Sequence, residues 1–266
     1  MGRFGHRLFD HDQALITAID LCKEISKDFK GELAHLVVQT VCNAAPSIAQ
    51  FYMDEYDVDA NLAANEMKLA YNECLRLKLD AGLGDELFEA HRAKLASEMM
   101  IDKPVMIDWA KVRVIILTAI MMHYGAKIKA DNIKFVRELL STIACHETIQ
   151  ICLNDDGLRG LGKRQVQVAL ENYQSGVARD FTSPSCHACG KWNMDIVNEG
   201  KKLMRCGGCK NPISAAWFCD KDCQKSFWKI HKKGNCGESR GHGFGFWQAK
   251  HKDGSMALCT FEGAMV

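Results

Sequence analysis

Residues 186–236 read CHACGKWNMDIVNEGKKLMRCGGCKNPISAAWFCDKDCQKSFWKIHKKGNC, and the cysteines and histidines of this stretch other than His187 number eight. They form four short-spaced pairs, namely Cys186 with Cys189, Cys206 with Cys209, Cys219 with Cys223, and His231 with Cys236. Thiolates and imidazole are the donors that tetrahedral Zn2+ selects, and eight of them fill two closed sites. The stretch therefore predicts two structural zinc ions, whose binding replaces the hydrophobic core that about fifty residues cannot build.

The spacing within the pairs has a physical reason. Two cysteines separated by two residues can lie on a tight turn that brings both sulfur atoms to one point. Cys219 and Cys223 are instead four residues apart, and His231 follows Cys223 by eight residues. One side of a single helix can therefore carry all three of these ligands.

Disulfide bonds are the alternative explanation of clustered cysteines. The chain opens with MGRFGHRLFD, which has no apolar signal segment, and it carries scattered cysteines such as Cys22, Cys42 and Cys74. Both features favour a reducing compartment over an oxidising one. We therefore expect zinc rather than disulfides, and an intracellular location in the cytoplasm, the nucleus or both.

Residues 218–236 resemble a known family. Their sequence, FCDKDCQKSFWKIHKKGNC, places an aromatic residue before Cys219, then C-x3-C-Q, Trp228 and His231, as in MYND-type zinc fingers. The resemblance extends over residues 186–236, and in that family the ligands interleave. It implies one zinc on Cys186, Cys189, Cys219 and Cys223, and a second zinc on Cys206, Cys209, His231 and Cys236.

The gap between the first two pairs departs from this pattern. Sixteen residues separate Cys189 from Cys206, which is longer than we expect for the family. Sequential pairing, in which the first two pairs share one zinc, therefore remains open. We expect a small hairpin or loop within residues 191–205, turning near residues 198–200, and we expect His187 to be a solvated loop histidine rather than a ligand.

The resemblance also implies a function. MYND fingers typically present a groove for short proline-containing peptides of the PxLxP kind, and the matching positions here are Gln224 and Trp228. A large aromatic face beside an amide suits an extended peptide, because the ring buries area and the amide bonds to main chain. The alternative is that Trp228 packs against the zinc sites as core. We interpret the chain as a protein-interaction adaptor.

Charge raises a second hypothesis. Residues 181–236 contain ten Lys or Arg against four Asp or Glu, while the whole chain has a net charge of +1. Five lysines fall in the expected helix of the finger, namely Lys221, Lys225, Lys229, Lys232 and Lys233. They are suited to contact nucleic-acid phosphates, which would make the protein a transcriptional cofactor. A solvated helix face beside negatively charged thiolates is the simpler interpretation.

Residues 1–180 are expected to form one all-α domain, a bundle or a short solenoid. Apolar residues recur at helical spacing in several segments, and almost no strand-type alternation occurs. The predicted helices include residues 15–29, 33–41, 63–77, 87–99, a buried central helix at 112–122, 131–153 with a break allowed near Cys145-His146, and 162–179. Residues 237–266 form a tail rich in glycine and aromatic residues, expected as a loop or short hairpin with a strand near 256–261. The predicted fold is mainly α.

Enzymatic activity is not expected. MYND fingers also occur within SET-type lysine methyltransferases, but most of that catalytic domain follows the finger, and only thirty residues follow Cys236 here. The sequence Cys145-His146-Glu147 is better explained as a core thiol beside a surface histidine and glutamate, because adjacent helical positions diverge by about 100°. The apolar run at 112–122 is too short to span a bilayer.

Overall fold

A computed structural model describes most of the helical part and most of the finger. The described residues are 7–10, 12–27, 70, 72–100, 104–147, 157–197, 199–209, 215–233, 236, 247–250 and 256–259. The helical stripe predicted at 33–41, the first part of the stripe at 63–77, and the glycine-rich residues 241–246 lie outside the described residues.

Helices dominate the chain before the finger, which confirms the mainly α fold. A 3-10 turn at Leu8–Asp10 precedes the first helix. Within the described residues before the finger, the longer helices are α1 (Asp12–Ser26), α2 (Gly84–Met100), α3 (Pro104–His123), α4 (Ala130–Thr142) and α5 (Gly160–Glu171). Helical residues 72–78 run through a π turn at Leu79–Leu83 into α2, so the predicted break at Gly82 is a kink, where φ is +127°.

The predicted central helix is α3. Every residue from 114 to 122 is buried, and α1, α2, α4 and α5 pack around it. A polar link crosses this core, because Glu24 of α1 pairs both with His91 of α2, at 3.0 Å, and with Arg113 of α3. Within the described residues, no helix combines the length and the apolar composition that a membrane crossing requires.

Two predicted helices are shorter in the structure. The helix predicted at 131–153 ends at Thr142, close to the break allowed near Cys145-His146, because the chain then forms a strand, β1 (Cys145–His146), that pairs in parallel with β2 (Leu158–Arg159). The helix predicted at 162–179 ends at Glu171. There the Tyr173 hydroxyl donates to the Ala126 carbonyl oxygen at 2.8 Å and accepts from the Ile128 amide at 2.7 Å, which draws the chain away from the helical path.

The described residues of the finger form two helices and a pair of two-residue strands. These are α6 (Asn193–Val197), β3 (Met204–Arg205), β4 (Trp217–Phe218) and α7 (Lys221–Lys233), with β3 antiparallel to β4. The insertion after Cys189 is thus a loop containing α6 rather than a hairpin. In the tail, β5 (Trp247–Lys250) pairs antiparallel with β6 (Met256–Cys259), so of the two predicted alternatives, a loop or a short hairpin, these residues form a hairpin.

Several contacts among the described residues attach the finger and the segment before it to the helical part. Gln165 of α5 accepts from the Leu8 amide and donates to the Ser185 hydroxyl, both at 2.9 Å. The Arg179 guanidinium makes two parallel hydrogen bonds to the Asp195 carboxylate, at 2.9 and 2.6 Å. Arg164 of α5 binds Glu147 at 2.6 Å and stacks over the Phe227 ring, with its central carbon 5.0 Å from the ring centroid.

Candidate metal centres in the finger

The first group of ligands is assembled from both ends of the finger. Cys186 and Cys189 lie on a tight turn, closed by a hydrogen bond from the Gly190 amide to the Cys186 carbonyl at 2.8 Å. Cys219 follows β4 and Cys223 lies in the first turn of α7. The four sulfur atoms lie within 4.8 Å of one another, and those of Cys189 and Cys219 are 3.6 Å apart.

The second group joins the middle of the finger to its end. Cys206 and Cys209 lie on a turn after β3, His231 lies in the last turn of α7, and Cys236 follows that helix. His231 Nε2 is 3.3 Å from Cys206 Sγ and 3.5 Å from Cys209 Sγ. The sulfur atoms of Cys206 and Cys236 are 3.8 Å apart.

These distances fit tetrahedral zinc. Zn–S bonds of about 2.3 Å and Zn–N bonds of about 2.05 Å require neighbouring sulfur atoms about 3.8 Å apart, and nitrogen about 3.6 Å from sulfur. The observed separations of 3.6 and 3.8 Å between sulfur atoms, and of 3.3 and 3.5 Å between nitrogen and sulfur, lie close to these values. The two groups therefore fit two zinc sites, and they interleave along the chain, so sequential pairing is wrong.

The thiols of each group perturb one another. Hydrogen bonds from the Cys189 and Cys219 thiols lower the pKa of Cys186. Burial and repulsion from Cys186 and Cys189 raise the pKa of Cys223 to about 12. Burial, with further contributions from Cys206 and Cys209, raises the pKa of Cys236 to about 12. Such thiols ionise together only beside a cation, which is the environment that a divalent metal supplies.

Helix α7 connects the two sites. It supplies Cys223 to the first site and His231 to the second. Asp220 caps its N-terminus, because Oδ1 accepts hydrogen bonds from the amides of Cys223 at 2.9 Å and Asp222 at 3.1 Å. The capping residue was missed in the sequence prediction, although an aspartate immediately before a helix is a recognisable start signal.

The expectation that His187 is solvated was wrong, whereas neither of the two ligand groups includes it. Its side chain is buried, with 8% exposure, and its ring meets the edges or faces of Phe218 and Phe227 at centroid distances of 6.1 and 6.3 Å. Its amide donates to the Trp217 carbonyl at 2.8 Å. Because the finger has little apolar material, the imidazole serves as part of its core instead of lying in solvent.

Gln224 and Trp228, the predicted peptide-binding residues, lie one turn apart beside the second site. The Gln224 side-chain amide lies 4.0 Å from Cys206 Sγ, and the Trp228 ring packs edge-on against His231 at 5.8 Å. Trp228 nevertheless keeps 39% of its surface exposed. Its ring is therefore positioned by the site without being enclosed in the core.

Comparison with known proteins agrees with this geometry. The MYND finger family matches residues 186–236. Residues 186–236 form a MYND finger. The chain is also similar to a SET and MYND domain-containing protein of Dictyostelium discoideum, at 35% identity over 86 residues, which are 29% of this chain and 14% of the relative. The chain thus matches about one seventh of that relative's length. No solved structure matches the chain significantly.

Proposed function

We propose that this protein is an adaptor whose MYND finger binds a short, extended, proline-containing peptide of a partner protein beside Gln224 and Trp228. MYND fingers are protein-interaction modules, which supports the general role. The observation that carries the specific proposal is Trp228, whose large ring stays 39% exposed on a helix that holds a ligand of each zinc site. A rigid aromatic surface of this kind suits a proline-containing peptide, because such peptides are extended before they bind.

The zinc sites support binding rather than catalysis. Each has four protein donors, so neither leaves an open position where a water or a substrate would be activated. Zinc would therefore act by holding α7 in place. Both sites need reduced thiols, and this supports our proposal of a cytoplasmic or nuclear location.

We also propose that the described part of the chain is not itself an enzyme. The cluster at residues 145–147 differs from expectation, since Cys145 is exposed and Glu147 is paired with Arg164. Loss of hydration beside neighbouring groups and repulsion by the Glu147 carboxylate raise the pKa of the Cys145 thiol, whereas a nucleophilic cysteine needs a lowered pKa. The SET domain in the relative's name belongs to a protein of which this chain matches 14%.

The proposal is tested by calorimetric titration of the zinc-loaded chain with a twelve-residue peptide containing PxLxP. We expect saturable binding that Trp228→Ala weakens by at least about thirtyfold, the loss typical of a central aromatic contact. Zinc content must stay at two ions per chain in the variant. Met194→Ala is the matched control, because Met194 is a 60% exposed residue of the finger on α6. Equal binding by wild type and Trp228→Ala would contradict the proposal.

Nucleic-acid binding is the second candidate. It is favoured by Lys221, Lys225, Lys229, Lys232 and Lys233, all of which are exposed on α7. Phosphate contacts release counterions, so this binding would weaken steeply with added salt. Binding to the apolar part of a neutral peptide would change little under the same conditions.

A further inference from the structure

The lysines of α7 are not spread evenly around the exposed side of the helix. At about 100° per residue, Lys221, Lys225 and Lys232 lie about 20°, 60° and 40° from Trp228, all on the same side of it. On the opposite side of Trp228 lie Gln224 and the zinc ligand His231. Trp228 thus marks the boundary between the second metal site and a basic stripe, which we define as Lys221, Lys225 and Lys232.

No acidic side chain among the described residues neutralises the stripe through an ion pair. The ion pairs formed within the described residues involve none of the five lysines of α7. Asp222 is on the same helix, but it lies about 120° from Trp228, beyond the stripe and next to Lys229 and Lys233. Positive charge is therefore concentrated beside the exposed ring, and the carboxylate carried by α7 itself, that of Asp222, lies on the far side of the stripe.

The length of the stripe matches a short extended segment. Lys221 and Lys232 are eleven residues apart on the helix, which is about 16 Å at about 1.5 Å per residue. An extended peptide rises about 3.3 Å per residue, so about five residues would follow the stripe from end to end. Three positive charges over that length complement two or three carboxylates.

We propose that the partner peptide is acidic next to its proline-containing core, with carboxylates that lie along Lys221, Lys225 and Lys232 while the core contacts Trp228. This inference rests on the proposed function, because it assigns the charge of the same ligand. Single-stranded nucleic acid matches the surface formed by Trp228 and the stripe less well than an acidic peptide does. Binding of that kind usually uses successive aromatic rings as stacking platforms, and α7 presents one exposed ring beside the stripe.

Two double variants distinguish the effect of the stripe on peptide binding from the effect of the total positive charge of α7. Lys225→Gln with Lys232→Gln removes two charges beside Trp228. Lys229→Gln with Lys233→Gln removes two charges about 100° and 140° from it and serves as the control. Each pair takes one lysine from the middle of α7 and one from its last turn, so the loss of charge at the helix end is matched. Gln and Lys have similar helix propensities.

The experiment measures binding of three probes to the zinc-loaded chain. These are a PxLxP peptide flanked by three glutamates on each side, the same peptide with glutamines, and a twelve-nucleotide oligothymidine. We expect the acidic peptide to bind about three- to tenfold more tightly than the neutral peptide at about 50 mM salt, with the difference shrinking at about 300 mM. The variant at Lys225 and Lys232 should abolish that difference, and the control variant should keep most of it.

The outcomes of the two proposals are distinguishable. Equal binding of the acidic and neutral peptides would overturn the inference and leave the proposed function intact, provided that Trp228→Ala still weakens both. Acidic binding that depends on the stripe but not on Trp228 would support the charge assignment and contradict the proline-peptide function. Tighter binding of oligothymidine than of the acidic peptide, lost in the variant at Lys225 and Lys232, would overturn the inference in favour of nucleic acid.

Discussion

At the scale of single residues, the interleaved ligands make a prediction about pairs of cysteines. Cys189 and Cys223 belong to one site, whereas Cys206 belongs to the other. We expect the double variant Cys189→Ser with Cys223→Ser to keep about one zinc per chain, because the second site retains four donors. The variant Cys189→Ser with Cys206→Ser removes one donor from each site, so it should keep less zinc per chain than the first variant. Zinc content measured by mass spectrometry after gel filtration checks this, and the reverse order would indicate sequential pairing.

The ligands could be predicted from the sequence because their evidence is local: each pair is close along the chain, and zinc accepts few side-chain types. His187 could not be placed in this way. Its burial depends on Phe218 and Phe227, which approach it only after the zinc sites have brought both ends of the finger together. Arg164 was missed for the same reason, since its contact with Phe227 joins residues far apart in the sequence.

At the scale of elements, the polar link between α1, α2 and α3 predicts that the unfolding free energy depends on pH through His91. Burial lowers the pKa of His91, although Glu24 opposes this. The unfolded chain therefore binds a proton more readily than the folded chain, and the stability that this residue contributes is present above about pH 6.5 and is lost as the pH falls through the lowered pKa. His91→Gln should reduce the loss of unfolding free energy between pH 7.5 and 5.5. An identical pH dependence in wild type and variant would contradict the assignment.

The elements themselves were predictable where an apolar stripe has a helical period. Helices α1, α2 and α3 fall within or around the stripes beginning at residues 15, 87 and 112. The sequence prediction fails where a segment distant in the chain determines the local structure. The strand at Cys145–His146 forms because Leu158–Arg159 pairs with it, and Gly157 allows the approach, since a Cβ there would lie 2.2 Å from the Ala144 carbonyl oxygen. No local sequence pattern predicts such a pairing.

At the scale of the whole molecule, the finger is held against the helical part by a buried ion pair. The side chains of Arg179 and Asp195 are 11% and 6% exposed. Asp195→Asn leaves the guanidinium without its counter-charge, so we expect the unfolding free energy of the zinc-loaded chain to fall by about 3 kcal/mol. Glu199→Gln is the matched control, because its carboxylate binds Lys191 in an exposed pair, and it should change little. Unfolding by denaturant measures the change in unfolding free energy for each variant.

Because α7 carries a ligand of each zinc site, partner binding and zinc binding are expected to affect each other. A partner that binds only the ordered helix stabilises the state in which both zinc sites are complete. Thermodynamic reciprocity then requires that the partner raise the affinity for zinc by the same factor by which zinc raises the affinity for the partner. Partner abundance would thus set how firmly the protein retains its metal when a cell's chelators compete for it.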